Sequence, residues 1–251
     1  MVDKEEYILC SKKGILIVNE GISGSGKSEC VKMMFQYLSD KGYKTGVIEW
    51  NSNSVIRNIV DRINRMNLLT SNIYCILQYV SFFFDYVIKI IPLLKQNYIV
   101  IADRYIYTAL TRDAANGAGR MLGRILHGFF RKPDLLFFHS VTPEVCLERI
   151  KCRGKVLFHT NNRILKNNTI KNKDLYYLKK LDREYMKLIS CLQNRGETNI
   201  VVVSNDSSNL MGYVEGYLDK KITSKRVNTV NSIGVMTNGK KAAKGCYTEK
   251  Y

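Results

Sequence analysis

The chain has 251 residues, of which 45% are hydrophobic and 24% are charged. This length and composition suit one globular α/β domain, alone or with a tail, and exclude a disordered or fibrous protein. The formal net charge is +17 and lies mostly in two segments, because residues 151–187 carry eleven Lys and Arg against three acids and residues 220–251 carry eight against one.

Neither the N-terminal segment nor the most apolar stretch predicts export or membrane insertion. The opening MVDKEEYILCSKKG places acids where a secretory leader has bases. The seven cysteines form no C-x-x-C pair, which favours reduced thiols and argues against a structural metal. Residues 74–94 contain Gln78, Asp85 and Lys89, so we interpret this stretch as a buried helix. We expect a cytoplasmic protein.

The first predicted elements are a strand, a glycine-rich loop and a helix. GILIVNEG (14–21) is a short apolar run closed by glycine, which is typical of a buried parallel strand. KSECVKMMFQYL (27–38) has its apolar residues at helical spacing. Between them, GISGSGKS (21–28) fits the phosphate-loop pattern G-x-x-x-x-G-K-[S/T]. The alternative is a flexible glycine-rich turn, but a turn alone would not explain why a strand precedes this segment and a helix follows it.

A phosphate loop binds anions with backbone N–H groups and the positive N-terminal end of the following helix. We therefore predict an ATP site in which Lys27 bridges the outer phosphates and Ser28 ligates Mg²⁺. The predicted ATP-binding residues are Gly21, Ser23, Gly24, Ser25, Gly26, Lys27, Ser28 and Glu29.

Four more predicted strands alternate with helical sequence. The strands are 45–50, 98–105, 134–141 and 199–206, and the first two are separated by helices over 54–66 and 71–94. This alternation predicts an α/β fold of three layers with a five-stranded parallel sheet, in which the chemistry gathers at the carboxyl ends of the strands.

The third strand ends in Asp103-Arg104-Tyr105. An acid at the tip of a buried strand near a phosphate loop can orient Mg²⁺ or its waters, so we predict Asp103 and Ser28 as the metal ligands. A guanidinium group matches phosphate in two hydrogen bonds, so Arg104 is predicted to bind a second phosphate. The alternative is an ordinary surface ion pair.

Three stretches resemble the thymidylate kinase family of nucleoside monophosphate kinases: E-G-x-x-G-x-G-K-S (20–28), DRYIYT (103–108) and KPDLLFFHSVTPEVCLERIKCRG (132–154). They stand in the family's order. The resemblance implies the P-loop NTPase fold and transfer of the ATP γ-phosphoryl group to a nucleoside monophosphate, with dTMP as first choice. It also implies ATP and Mg²⁺ as cofactors, a homodimer, and a role for Asp103 in acceptor geometry.

The resemblance further implies a basic lid over residues 150–172, and we predict a kinase domain of residues 1–219 that contains it. Residues 220–251 lie outside the resemblance; they lose the apolar periodicity and gain Lys, Asn and Gly, which predicts a flexible basic tail. The phosphate loop lacks an arginine, so the lid must supply one to the transition state. Arg153 is the first candidate, with Arg149 and Arg163 as the others. Together with Lys27 and the strand-end residues Asp103 and Arg104, Arg153 and Arg149 form the predicted catalytic set.

The acceptor side departs from the family pattern. Ser23 stands where the family has a carboxylate, while Ile48 and Phe82 stand where it has arginines. Phe82 becomes a candidate to stack on a base, and Arg112 and Asp113 become candidates to read a base edge. The predicted acceptor-binding residues are Glu49, Asn51, Phe82, Arg104, Tyr105, Arg112 and Asp113.

Two alternatives stay open at this stage. The departures allow an enzyme with the same ATP site and a different small-molecule acceptor. The basic segments allow a nucleotide-switched protein that binds nucleic acid through its tail, although a solvated tail is the favoured interpretation of residues 220–251.

Overall fold

The computed structural model describes residues 14–49, 53–118, 121–157, 162–204 and 209–221. The chain divides into two compact units, Lys13–Ser207 and Ser208–Tyr251 together with Met1–Lys12. The first unit contains every described strand. In the second unit the structure describes one helix, 210–221. The predicted boundary between residues 219 and 220 stays a prediction.

Five parallel strands form the sheet: β1 (Ile15–Glu20), β2 (Thr45–Glu49), β3 (Ile99–Asp103), β4 (Leu135–His139) and β5 (Asn199–Val203). Their order is β2-β3-β1-β4-β5, which confirms the predicted five-stranded parallel sheet. Strands β1, β3 and β4 are buried along their whole length, as expected of strands covered on both faces. Because β1 pairs with β3 and Asn19 lies opposite Asp103, the start of the phosphate loop is next to the tip of β3.

Nine helices connect or follow the strands in the described part of Lys13–Ser207: α1 (Lys27–Asp40), α2 (Ser54–Arg65), α3 (Ser71–Asp85), α4 (Ile91–Lys95), α5 (Ile106–Asn116), α6 (Met121–His127), α7 (Pro143–Cys152), α8 (Asn162–Leu165) and α9 (Lys173–Arg195). Polar caps begin three of them. The side chains of Asn53, Thr70 and Asn172 accept hydrogen bonds from backbone N–H groups at the starts of α2, α3 and α9, which satisfies donors that have no partner within the helix.

A π-helical turn (Tyr86–Ile90) joins α3 to α4, so that Ser71–Lys95 is one continuous helical segment. This segment is long and apolar enough to cross a membrane by length and composition alone, a test that the core helix of a soluble protein also passes. The prediction of a buried helix holds for one face only. The opposite face exposes Ile73, Ile76, Val80, Phe83, Phe84, Val87 and Ile88.

The core-facing side of α9 gives a direct test of the packing. We expect Leu178→Ala to lower the free energy of unfolding by about 2–5 kcal/mol, because it leaves a cavity at a fully buried position. Met186→Ala, on the exposed side of the same helix, should change it by less than about 0.5 kcal/mol. Urea denaturation followed by circular dichroism measures both variants. Equal losses would contradict the orientation of α9.

Candidate active site

The predicted phosphate loop connects β1 to α1. Gly24 has φ +86°, in the left-handed region, and a Cβ there would lie 2.5 Å from the carbonyl oxygen of Cys146. Glycine is therefore required at this position both by conformation and by space. Helix α1 follows its N-cap residue Gly26, and no side chain caps its N-terminal end, which leaves that end to bind phosphate.

The Lys27 ammonium lies inside the loop. Its Nζ donates hydrogen bonds to the carbonyl oxygen of Ile22 at 2.6 Å and to Oγ of Ser25 at 3.1 Å. The side chain is only 4% exposed. Burial, aided by the positive charge of Arg104, lowers the pKa of Lys27 well below its usual value. An anionic ligand beside Nζ would offset both effects, because it favours the charged form.

Ser28 and Asp103, the two predicted metal ligands, are in direct contact. The Oγ of Ser28 donates a hydrogen bond to Oδ2 of Asp103. Hydroxyl and carboxylate oxygens are the ligands that Mg²⁺ prefers, and Mg²⁺ usually keeps waters and substrate phosphates as its other ligands. The described residues contain no cluster of three His, Cys, Asp or Glu side chains suited to a metal. These two residues therefore fit Mg²⁺ held jointly with a nucleotide.

Arg104 links the tip of β3 to the phosphate loop. Its backbone has φ +75°, a conformation that costs a non-glycine residue about 1–3 kcal/mol. Its N–H donates to the carbonyl oxygen of Asn19 at 2.9 Å, and its guanidinium donates to the carbonyl oxygen of Gly21 at 3.1 Å and to Oγ of Ser23 at 3.3 Å. The strained backbone thus directs the guanidinium at the loop.

Glu20, the last residue before the phosphate loop, is connected to α5 and α9 through buried hydrogen bonds. Its carboxylate accepts hydrogen bonds from the backbone N–H groups of Tyr105 (2.8 Å) and Thr108 (3.1 Å) and from the hydroxyls of Thr108 (2.7 Å) and Tyr185 (2.9 Å). Burial raises the pKa of Glu20, whereas Arg104 and these hydrogen bonds oppose the rise. The sequence analysis did not predict this role for Glu20, because Tyr185 lies 165 residues away.

A cavity of about 640 Å³ opens beside the loop. Six basic side chains and three acidic ones lie on its wall, so its charge favours an anionic ligand. The lining residues are Ser23, Gly24, Gly26, Lys27, Ser28, Glu29, Lys32, Glu49, Asp103, Arg104, Arg112, Ile150, Arg153, Lys155, Val156 and Leu157.

The lid arginines approach this cavity to different degrees. Arg153 lines it, and Nη1 of Arg149 lies 3.5 Å from the carbonyl oxygen of Gly24. The side chain of Arg163 and residues 158–161 are outside the described part of the chain. Which arginine serves the transition state stays a prediction.

The predicted acceptor residues separate into two groups. Glu49 and Arg112 line the cavity together with Arg104. Phe82 and Tyr105 instead pack against each other edge to face, with ring centroids 5.0 Å apart, and both are buried. Neither is among the residues that line the cavity.

Asp113 also points away from the cavity wall and toward α3. Its Oδ2 accepts a hydrogen bond from the Tyr79 hydroxyl at 2.6 Å, and burial raises the pKa of its carboxyl. Asn51 lies outside the described residues. The acceptor roles of all these residues stay predictions.

Burial, aided by the positive charge of Lys27, lowers the pKa of His139 from its usual 6.5 to about 4. The unfolded chain therefore takes up this proton at a higher pH than the folded chain. We expect stability to fall as the pH drops from 6.5 toward 4, by up to about 1.4 kcal/mol per pH unit from this group. His139→Gln should make that pH dependence shallower in urea denaturation, and an unchanged slope would contradict the account.

Comparisons with known proteins assign the chain to a family. A protein-family model described as "Thymidylate kinase" matches residues 19–210. A "Probable thymidylate kinase 2" of Saccharolobus solfataricus is 36% identical over 139 residues, which cover 55% of this chain and 65% of that protein. A "Probable thymidylate kinase" of Archaeoglobus fulgidus is 30% identical, covering 57% and 72%. A "Thymidylate kinase" of Shouchella clausii is 27% identical, covering 73% and 85%. The chain therefore belongs to the thymidylate kinase family and is an ATP-dependent nucleoside monophosphate kinase.

Proposed function

We propose that this chain transfers the γ-phosphoryl group of ATP to the phosphate of dTMP in the cavity beside the phosphate loop. The observation that carries the proposal is the contact between the loop and the tip of β3. Ser28 donates to Asp103, and Arg104 donates to Gly21 and Ser23. The family assignment supports dTMP as the acceptor. The comparisons give no support to another acceptor or to a nucleic-acid-binding function.

Phosphoryl transfer depends mainly on positioning and on neutralising charge. The loop N–H groups and Lys27 hold the outer phosphates of ATP, and the ammonium exchanges its bonds to Ile22 and Ser25 for phosphate oxygens. Arg104 holds the acceptor phosphate beside the loop, because its guanidinium already contacts Gly21 and Ser23. The two reacting phosphates are thereby brought to the same wall of the cavity.

Ser28 and Asp103 would hold Mg²⁺, which neutralises charge between the outer phosphates when bound. Arg153 lines the cavity and is the first candidate to neutralise charge on the transferred group. Arg149, close to the carbonyl oxygen of Gly24, is the second. No protein nucleophile is required for this reaction.

We also propose a cytoplasmic location and a homodimer. The five cysteines in the described residues are free thiols, as expected of a reducing compartment. The exposed apolar face of α3 and the turn after it includes Phe84 and Ile88, which are 44% and 64% exposed. A contiguous row of exposed apolar side chains commonly marks a protein–protein interface.

The first functional prediction concerns Lys27. We expect Lys27→Ala to lower kcat/KM for dTMP phosphorylation by a factor of about 10²–10³, as loss of a transition-state charge contact does. Its circular dichroism spectrum should match that of the wild-type protein. Lys95→Ala, at an exposed position on α4, is the control and should keep full activity in a coupled ADP assay. Retained turnover in Lys27→Ala would count against the mechanism.

The second prediction concerns assembly. We expect the wild-type protein to sediment as a dimer and the double variant Phe84→Glu, Ile88→Glu to sediment as a monomer, because charges would be buried in the interface. Met186→Glu changes an exposed apolar residue on α9 and serves as the control. Analytical ultracentrifugation distinguishes the two states, and a monomeric wild-type protein would refute the dimer.

A further inference from the structure

Gln78 on α3 is a buried amide without a partner. Its Nε2 and Oε1 have no hydrogen-bond partner among the residues that the structure describes, and the residue is 2% exposed. A buried polar group without a partner destabilises the folded state. An apolar side chain of similar size would remove this penalty, so the amide is better explained by binding than by folding.

The neighbours of Gln78 place it on the acceptor side. Tyr74 and Phe82 lie one helical turn on either side of it, so the three side chains share one face of α3. The hydroxyl of Tyr74 accepts a hydrogen bond from Nη1 of Arg112 at 3.2 Å, and Phe82 packs on Tyr105. Both partners belong to the segment that follows the tip of β3, and this face of α3 is directed at that segment.

Arg112 connects this face to the active site, because it also lines the cavity that contains Lys27 and Arg104. Its side chain is partly exposed and bonds to Tyr74 one turn from Gln78. Gln78 itself is not among the residues that line this cavity, so a planar group reaches the amide only if the Arg112 guanidinium turns away from Tyr74. One ligand would then contact both the amide of Gln78 and the phosphate-binding residues of the cavity.

The hydrogen-bonding groups at this position match a pyrimidine base. A glutamine amide offers a donor and an acceptor side by side, and a guanidinium offers donors only. The Watson–Crick edge of thymine presents a ring N–H between two carbonyl oxygens. The amide of Gln78 can pair with the ring N–H and one carbonyl oxygen, and Arg112 with the other.

We propose that Gln78 is a specificity-determining residue whose amide pairs with the Watson–Crick edge of the pyrimidine base of the acceptor. This inference rests on the proposed function, and it adds a residue that recognises the acceptor's base. Gln78 and Arg112 act together on the base, while Arg104 holds the phosphate of the same nucleotide.

The test uses Gln78→Met, which keeps the size of the side chain and removes the amide. We expect the melting temperature to rise by about 2–4 °C, because the unpaired amide is gone. The KM for dTMP should rise at least about 10-fold, because a good contact with the base is lost. The KM for ATP should stay unchanged. Gln36→Met alters an exposed glutamine that bonds to Asp40 and should leave all three quantities unchanged.

A further measurement separates recognition from packing. With the wild-type protein, N3-methyl-dTMP lacks the ring donor and should be a poorer substrate than dTMP. This difference should shrink in Gln78→Met.

The outcomes distinguish this inference from the proposed function. A wild-type enzyme that phosphorylates dTMP, with a stabilised Gln78→Met variant of unchanged KM for dTMP, would overturn the inference alone. An equal penalty for N3-methyl-dTMP in the wild-type protein and in Gln78→Met would do the same. A wild-type protein that binds ATP with Mg²⁺ but does not phosphorylate dTMP would overturn the proposed function and the inference together.

Discussion

The buried carboxylate of Glu20 is the group on which the site depends. It lies at the last residue of β1, directly before the phosphate loop, and accepts hydrogen bonds from Tyr105, Thr108 and Tyr185. One side chain thereby ties the start of α5 and the middle of α9 to the loop. Breaking a buried charged network of this kind typically costs about 3–5 kcal/mol. The loop and the guanidinium of Arg104 are therefore held as one rigid unit.

The second constraint is the excess of positive charge in this unit. Lys27 and Arg104 repel each other, and burial together with that repulsion lowers the pKa of Lys27. His139, close behind the loop, stays neutral because burial and Lys27 lower its pKa. The cavity wall adds further basic groups. A polyphosphate with Mg²⁺ is the ligand that relieves this repulsion, so the electrostatic penalty of the free site becomes binding energy for the substrate.

The fold was predictable because its causes are local: apolar runs closed by glycine make strands, and parallel order brings the loop to the tip of β3. The ATP side of the site followed from the same rule. The acceptor side was less accessible, because residue spacing gives a position on a helix but not the direction in which that position faces. Residue spacing therefore could not show that Phe82 packs on Tyr105 or that Asp113 accepts a hydrogen bond from Tyr79. The role of Glu20 and the unpaired amide of Gln78 depend on contacts between segments distant in sequence.

A crystal structure with ADP, Mg²⁺ and dTMP tests the central claim most directly. We predict that the β-phosphate accepts hydrogen bonds from the loop N–H groups and from Nζ of Lys27. Mg²⁺ should lie about 2.1 Å from Oγ of Ser28, and the phosphate of dTMP should contact Arg104. A nucleotide bound elsewhere, with Lys27 still donating to Ile22, or a dTMP phosphate remote from Arg104, would contradict the account.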